Sequence, residues 1–125
     1  KKSVTISPDT EILIDNYIFS WQSSAVKENY NNSKSSEIID AAKIKNKTLT
    51  LRLWKEGDRF RPIGMNGSKK LSDFFIDEKI DIFSKKKQWL LLDGKRIIWV
   101  CGQRISDDVK ITSETTKLGK FIFKK

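Results

Sequence analysis

Apolar and polar residues alternate along much of this chain, and that alternation is typical of half-buried β-strands. Three early stretches show it, and we predict strands at Val4–Ile6, Glu11–Ile14 and Asn16–Ser23, with a turn at Asp15-Asn16. The third stretch places its large rings on one face: Tyr17, Phe19 and Trp21. Residues 27–36 are rich in Asn, Ser and Lys without an apolar period, and they predict a mobile loop.

The middle of the chain predicts two more strands, Glu37–Lys45 and Thr48–Trp54. In the second of them leucines alternate with other residues, so Arg52 and Trp54 share the face opposite the leucines. Trp54 then either packs under a second layer or offers an exposed surface for stacking, and the pattern leaves both interpretations open.

One amphipathic helix is indicated by the spacing of Leu71, Phe74 and Phe75, which places three apolar side chains on one stripe. We predict that this helix spans about Lys70–Ile80. The candidate N-caps are Ser68 and Ser72.

A hairpin is predicted where Gln88–Leu92 and Lys95–Cys101 flank Asp93-Gly94, because this dipeptide suits the two positive-φ positions of a type I′ turn. A last strand is predicted at Thr115–Phe123, with Phe121 and Phe123 facing inward. Together the elements predict an α+β fold of mostly antiparallel sheet layers with one main helix, since strands and helices do not alternate as in βαβ units. The length suits a single domain, 1–125.

The net charge of +9 is concentrated in the second part of the chain. Residues 1–50 carry seven basic and six acidic residues, whereas residues 51–125 carry eighteen basic and ten acidic residues. A positive field of this kind attracts polyanions, nucleic acid first and an anionic membrane surface second. The alternative is a lysine-rich composition without a specific partner.

Composition also restricts the chemistry that the chain can perform. It has no histidine and one cysteine, Cys101, which excludes Ser-His-Asp and Cys-His catalysis and zinc sites built from those residues. A lone cysteine forms no intramolecular disulfide, which suits the reducing cytoplasm. The longest apolar run, Ile97–Cys101, is too short to span a membrane. Because the chain begins with Lys1 rather than methionine, we expect it to be a piece of a longer protein.

Residues 51–80 contain the densest candidate chemistry. Arg59 and Arg61 flank Phe60, so both guanidinium groups can point outward while Phe60 anchors the loop. Planar guanidinium groups suit bidentate contacts with phosphate. The alternative is that Asp58 holds Arg59 in a structural ion pair.

Lys69 and Lys70 stand at the predicted start of the helix, where the partial positive charge disfavours lysine and favours anions. A phosphate bound there would satisfy the free amides of the helix and both ammonium groups. The alternative pairs the lysines with Asp73, which is i+4 from Lys69 and i+3 from Lys70.

Carboxylates offer a third kind of site. Asp73 and Asp77 lie one helical turn apart and Asp58 could approach them, a set that could bind Mg²⁺ or transfer protons. Basic residues stand near each of them, which favours ordinary ion pairs instead. We therefore expect no catalytic residue, no metal and no cofactor in this chain.

An ordered string of residues over about 38–106 resembles the C-terminal domain of bacterial tRNA(Ile)-lysidine synthetase. The matching residues, in chain order, are Asp40-Ala41-Ala42-Lys43-Ile44, Arg52-x-Trp54-x-x-Gly57-Asp58-Arg59-Phe60-x-Pro62-x-Gly64, Lys69-Lys70-Leu71-Ser72-Asp73-Phe74-Phe75, Lys79-Ile80 and Ile98-Trp99-Val100-x-Gly102-x-Arg104-Ile105. A match of this length is far more specific than a single glycine motif. Residues 1–36 add little to it and could form a peripheral extension.

The resemblance implies β/β/α layers similar to the tRNA-synthetase-associated domain in the β subunit of the phenylalanine enzyme. It implies a parent ligase that uses ATP to join lysine to the wobble cytidine of the isoleucine tRNA with a CAU anticodon. ATP and lysine would bind in a separate catalytic domain of the same chain, which would be a partner of this one. The present domain would grip the tRNA around its acceptor stem, in the cytoplasm.

Carried over to this chain, the resemblance suggests that seven basic residues hold backbone phosphates: Arg52, Lys55, Arg59, Arg61, Lys69, Lys70 and Arg104. Supporting or stacking roles fall to Trp54, Asp58, Phe60 and Asp73. The rival interpretation is an interdomain or dimerisation module, forming a homodimer without RNA contact. Its anchors would be Trp54, Phe60 and Met65.

Overall fold

Antiparallel strands account for most of the regular structure. The computed structural model describes residues 3–24, 34–81 and 87–125, so most of the predicted loop at 27–36 lies outside these ranges. The strands are β1 (Ser3–Ile6), β2 (Thr10–Ile14), β3 (Tyr17–Ser24), β4 (Ser36–Asp40), β5 (Leu49–Leu53), β6 (Arg59–Phe60), β7 (Lys69–Lys70), β8 (Trp89–Asp93), β9 (Arg96–Val100), β10 (Arg104–Ile105) and β11 (Leu118–Lys124). The helix α1 is Leu71–Asp77, and short 3-10 helices occupy Ala41–Lys43 and Asp107–Val109.

The first sheet has five strands in the order β1-β5-β8-β9-β10, and every neighbouring pair in it is antiparallel. Its register places Leu51 of β5 between Val4 of β1 and Leu91 of β8, and Leu91 in turn faces Trp99 of β9. Leu51, Leu91 and Trp99 are fully buried. The leucine alternation of β5 therefore marks the face that packs into the core.

The second sheet has four strands in the order β2-β3-β11-β4. Trp21 and Phe19 of β3 lie opposite Phe121 and Phe123 of β11, so the predicted aromatic face of β3 meets the predicted inward face of the last strand. The Phe121 ring stacks on Trp99 of the first sheet with the ring centroids 5.8 Å apart. This aromatic cluster is the core between the two sheets.

The helix forms a third layer on the other side of the first sheet. There, Leu71, Phe74 and Phe75 of α1 pack in one buried cluster with Leu90 and Leu92 of β8. Because β8 is buried on both faces, its apolar residues run without interruption instead of alternating. The layers are therefore sheet, sheet and helix, and the predicted α+β class is confirmed.

The predicted strand at Glu37–Lys45 ends early, at Asp40. The Asp40 carboxylate accepts the Ala42 N–H at 3.0 Å and caps the 3-10 helix that follows. Asp is a strong N-cap because its side chain can satisfy an otherwise unpaired amide. The capping contact turns the backbone away from the sheet, which is why the strand does not continue.

The hairpin also differs from its prediction, because its two turn residues are Gly94 and Lys95 and not Asp93-Gly94. Asp93 stays in the strand opposite Arg96, and φ is positive at Gly94 (67°) but not at Asp93. The Asp93 carboxylate accepts the backbone N–H groups of Lys45 and Asn46 at 2.8 and 3.0 Å. Holding that connection keeps Asp93 out of the turn.

The helix is shorter than predicted, and neither Ser68 nor Ser72 caps it. Lys70 is the N-cap residue and makes no side-chain capping bond. The first amide of the helix, at Leu71, donates instead to the carbonyl of Asp58 at 2.9 Å. At the other end Lys79 adopts the left-handed conformation (φ 58°), which stops the helix before Ile80.

We expect Glu37 to make the stability of the domain depend on pH. Glu37 is 9% exposed and lies opposite Phe121, and burial raises the pKa of its carboxyl to about 7 from 4.5. A carboxyl with a raised pKa in the folded state stabilises the fold below its unfolded pKa and loses that contribution as pH rises through the folded pKa. Between pH 4.5 and 7 the loss should be on the order of 1–3 kcal/mol, because solvent screening of a partly buried carboxyl reduces the full value of about 1.4 kcal/mol per pKa unit.

Unfolding free energies from urea titrations at pH 4.5 and 8 test this expectation. Glu37→Gln should remove most of the pH dependence and be more stable than the parent at pH 8. Glu11→Gln, at an exposed position of β2, is the matched control and should leave the pH dependence unchanged. An unchanged pH dependence in Glu37→Gln would contradict the assignment.

Candidate nucleic-acid interface

Three of the seven basic residues predicted from sequence, Arg59, Lys69 and Lys70, lie on a small antiparallel ribbon, β6 and β7, which leads directly into α1. Arg59 pairs with Lys70 and Phe60 pairs with Lys69 across this ribbon. The connecting loop is fixed to β10 at one point, where the Ile63 N–H donates to the Ile105 carbonyl at 3.0 Å. The ribbon and loop together form the surface on which the site is built.

Aromatic packing fixes the ribbon and the end of β5 to the helix. Phe60 is 4% exposed and meets Phe74 edge to face, with ring centroids 5.2 Å apart. Trp54 is half-buried and meets Phe75 in the same way at 4.9 Å. Trp54 therefore packs within the helix layer, as in the first of its two predicted roles.

The carboxylate of Asp58 connects β5 with the turn that precedes the ribbon. Arg52 binds both oxygens of Asp58 in a bidentate pair, with both N···O distances 3.0 Å. The Lys55 N–H donates to the same carboxylate at 2.8 Å. Asp58 thus pairs with Arg52, and the alternative prediction of a pair between Asp58 and Arg59 is wrong.

Arg61 lies at the far side of the loop and is held by acidic residues near the 3-10 helix at 107–109. Its Nη2 is 3.1 Å from Asp107 and 3.2 Å from Asp108. The Gly64 N–H and the Lys110 ammonium also contact Asp107. The Gly64 hydrogen bond, followed by the Lys110 hydrogen bond and the positive charges of Lys110 and Arg61, lowers the pKa of Asp107.

The structure pairs two further cations with acids of the helix layer. Lys69 bonds to Asp77 and not to Asp73, so the predicted i+4 partner is wrong. Arg104 of β10 lies 3.0 Å from Glu78, and its guanidinium carbon is 5.3 Å from the centre of the Phe74 ring. Four of the seven predicted cations are thus neutralised by neighbouring carboxylates: Arg52, Arg61, Lys69 and Arg104.

The other three predicted cations, Lys55, Arg59 and Lys70, have no carboxylate partner within residues 3–24, 34–81 and 87–125. Arg59 instead donates its Nε to the Ser68 hydroxyl at 3.0 Å, which orients the guanidinium group across the ribbon. Arg59 and Lys70 are exposed and directly opposite each other. Facing like charges repel, so this pair carries an unfavourable interaction that an anion would relieve.

The start of the helix contributes less than the sequence suggested. The helix has seven residues, and its Leu71 amide already donates to Asp58. The predicted contact between a phosphate and the first-turn amides stays a prediction. The exposed side chains of Arg59 and Lys70 are the groups that this region presents to an anion.

The carboxylates do not gather into a centre of their own. Asp58 and Asp77 each pair with a cation, and Asp73 is exposed on α1. Across the described ranges no group of three His, Cys, Asp or Glu side chains is placed to hold a metal ion. Within the same part of the chain, no helix has the length and apolar character needed to cross a membrane.

Comparison with known proteins identifies the family. The family model described as the TilS substrate C-terminal domain matches residues 49–119, which include β5, the ribbon and the helix. The chain belongs to this family. The resemblance found in the sequence is thereby confirmed.

Relatives and a solved structure extend the match beyond that segment. The tRNA(Ile)-lysidine synthase of Parabacteroides distasonis is 36% identical over 120 residues, covering 94% of this chain and 27% of the relative. That of Bacteroides thetaiotaomicron is 43% identical over 84 residues, or 67% of this chain and 19% of the relative. The chain therefore spans about a quarter or less of these relatives. A crystal structure of a TilS C-terminal domain has the same fold, with a TM-score of 0.80, 20% identity and coverage of 98% of this chain and 97% of that one.

We expect the Arg52–Asp58 pair to stabilise the domain. The Asp58 side chain is 8% exposed, so Asp58→Ala would leave Arg52 and the Lys55 amide without their acceptor. Loss of one partner from a buried pair should reduce the free energy of unfolding by about 2–4 kcal/mol. Asp73→Ala is the matched control and should cost less than about 1 kcal/mol, mainly through the helix dipole. Urea denaturation of both variants measures this difference, and equal losses would show that the pair is not structural.

Proposed function

We propose that this domain docks tRNA and that Arg59, Lys70 and Lys55 hold phosphates of the RNA backbone. The facing pair of Arg59 and Lys70 carries the proposal. Two exposed cations are placed opposite each other, and neither forms a salt bridge with a carboxylate of the described residues. A bound phosphate would replace their mutual repulsion with two attractive contacts.

The remaining basic residues of the motif support this surface and do not form it. Arg52 fixes the turn through Asp58, and Lys69 and Arg104 fix the ribbon and β10 to the helix layer. Arg61 fixes the loop through Asp107. Because A-form RNA presents a shallow minor groove, such a surface would read backbone shape, phosphates and 2′-hydroxyls more than base sequence.

For the whole protein we propose the activity that the resemblance implies. The parent ligase would use ATP to attach lysine to the wobble cytidine of the isoleucine tRNA with a CAU anticodon, in the cytoplasm. ATP and lysine would bind in a catalytic domain outside this chain, and this domain would hold the tRNA near its acceptor stem. No residue of this chain would take part in bond formation. The domain names of the family and its relatives support the proposal.

The rival interpretation, an interdomain or dimerisation module, is weakened because two of its three predicted anchors pack inside this domain. Trp54 and Phe60 both pack on the helix of the same domain. Met65 is 39% exposed and remains available on the loop, beside Ile63, which is also 39% exposed. Leu13 of β2 and Ile76 of α1 are more exposed, at 73% and 68%, and among the described residues these four are the large apolar side chains left for such an interface.

We expect Arg59→Ala and Lys70→Ala to weaken tRNA binding without destabilising the domain. Each should reduce the slope of log affinity against log salt concentration by about 1, because one phosphate contact is lost. The thermal midpoint should change by no more than about 2–4 °C, since both side chains are exposed. Lys95→Ala, in the exposed turn of the β8–β9 hairpin, is the matched control and should keep both the affinity and the slope.

Binding titrations with the isoleucine tRNA and an elongator methionine tRNA, at two salt concentrations, provide the measurement. A preference for the isoleucine tRNA would place part of the discrimination in this domain, and equal binding would make it a general tRNA clamp. A salt-insensitive dimer that binds neither RNA would support the rival module. Turnover of ATP and lysine by the 125-residue chain alone would contradict its non-catalytic role.

A further inference from the structure

A second concave surface lies away from the ribbon, where the two sheets meet at one end. The cleft has a volume of about 320 Å³, and each sheet contributes one wall. Tyr17 and Phe123 come from the second sheet, whereas Gln88 and Trp89 come from the entry to β8. The turn after β9 completes it with Gln103. A cleft of this size is within the range that holds small organic groups.

Two side-chain amides line this cleft, and each retains hydrogen-bonding capacity. Gln88 is 7% exposed, and its Nε2 donates to the carbonyls of Trp89 and Cys101 at 2.8 and 2.7 Å. Within the described ranges nothing donates to its Oε1. The side-chain amide of Gln103 makes no hydrogen bond to any described residue. An acceptor that receives no hydrogen bond from the described residues, beside a free donor-acceptor amide, is an arrangement that a flat ligand with both donors and acceptors would satisfy.

Aromatic rings and lysine side chains also line or flank the cleft. The Tyr17 and Phe123 rings are stacked, with centroids 4.2 Å apart and planes 12° apart. Lys87 is exposed at the edge of the cleft, and the Lys125 ammonium lies 5.4 Å from the centre of the Tyr17 ring. Aromatic walls, amides and flanking ammonium groups are the set that proteins use to bind an unpaired base together with its phosphate.

We propose that this cleft binds one unpaired nucleobase of the RNA that the domain docks. The inference rests on the proposed function, and it adds a site for single-stranded RNA to a surface for duplex backbone. The backbone connects the two places, because the Trp54 N–H donates to the Gln88 carbonyl at 3.0 Å and Lys55 follows Trp54. The base would stand against the Tyr17–Phe123 rings, with its polar edge on the amides of Gln88 and Gln103.

The test compares two RNA hairpins of identical stem, one blunt and one with four unpaired nucleotides at the 3′ end. For the parent chain the overhang should tighten binding about tenfold, the order expected for one stacked base. Gln103→Ala should lose most of that gain while binding the blunt hairpin as before. Gln22→Ala is the matched control, since it removes an exposed amide from the second sheet at a position outside the cleft, and it should keep the gain.

Nuclear magnetic resonance of the side-chain amides separates failure of this inference from failure of the docking proposal. A tetranucleotide alone should shift the side-chain NH₂ signals of Gln88 and Gln103 and leave that of Gln22 in place. If the blunt hairpin does not bind, the docking proposal fails, and the tetranucleotide result alone decides whether the cleft is a base site. An overhang gain that persists in Gln103→Ala, an absent gain, or unshifted Gln88 and Gln103 signals would overturn the inference.

Discussion

The bidentate pair between Arg52 and Asp58 is the interaction on which the arrangement of the basic surface depends. Asp58 receives Arg52 from the sheet and the Lys55 amide from the turn, and its carbonyl receives the first amide of the helix at Leu71. One residue therefore sets the relative positions of a central sheet strand, a turn and a helix. Arg59 follows Asp58 directly, so the same contact helps to place its backbone, while the hydrogen bond to Ser68 orients its guanidinium group.

The basic side chains of the motif are of two kinds, those that form a salt bridge with a described carboxylate and those that do not. A cation that faces a carboxylate at 3 Å contributes little to the distant field, because the opposite charges cancel beyond a few ångströms. Among the seven basic residues of the motif, Arg59, Lys70 and Lys55 are therefore the ones whose positive charge is not cancelled by a described carboxylate. The paired cations instead supply rigidity, which reduces the entropy lost when the exposed side chains are ordered on a ligand.

Sequence periodicity was sufficient to predict the layers but not the side-chain contacts between distant parts of the chain. The alternation in β3 and β11 correctly placed Phe19, Trp21 and Phe121 on buried faces, because a strand has only two faces. The spacing of Leu71, Phe74 and Phe75 likewise predicted the buried face of the helix correctly. Partners such as Arg61 and Asp107, however, are 46 residues apart, and no local pattern joins them.

Local competition explains the other differences. Asp93 was predicted in a turn on the strength of its Asp-Gly dipeptide, but burial next to the chain at 45–46 makes its carboxylate an acceptor for two amides. Burial alone would raise the pKa of Asp93, and the hydrogen bonds from Lys45, Asn46 and Arg96 outweigh it and lower the pKa. Local hydrogen bonds also explain the early end of β4 and the uncapped start of the helix. The Asp40 carboxylate accepts the Ala42 N–H, and the Leu71 N–H donates to the Asp58 carbonyl and not to a serine side chain. The two amides of the cleft had no signal in the sequence: the pairing of β8 with β9 places Gln88 and Gln103 at one end of the first sheet, and the second sheet supplies the opposite wall.

Because β8 is buried on both faces, the layers on its two sides cannot open independently. Trp89 and Leu91 enter the aromatic core while Leu90 and Leu92 enter the core beneath the helix, so both cores share one strand. Amide protons in β8 should therefore exchange with solvent only when both layers open together, which makes the two sheets and the helix one cooperative unit. The ribbon belongs to the same unit, because Phe60 of β6 is buried in the helix-side core with Leu90 and Leu92. The ribbon would thus meet a charged surface as part of one rigid body, with only its exposed side chains left to adjust.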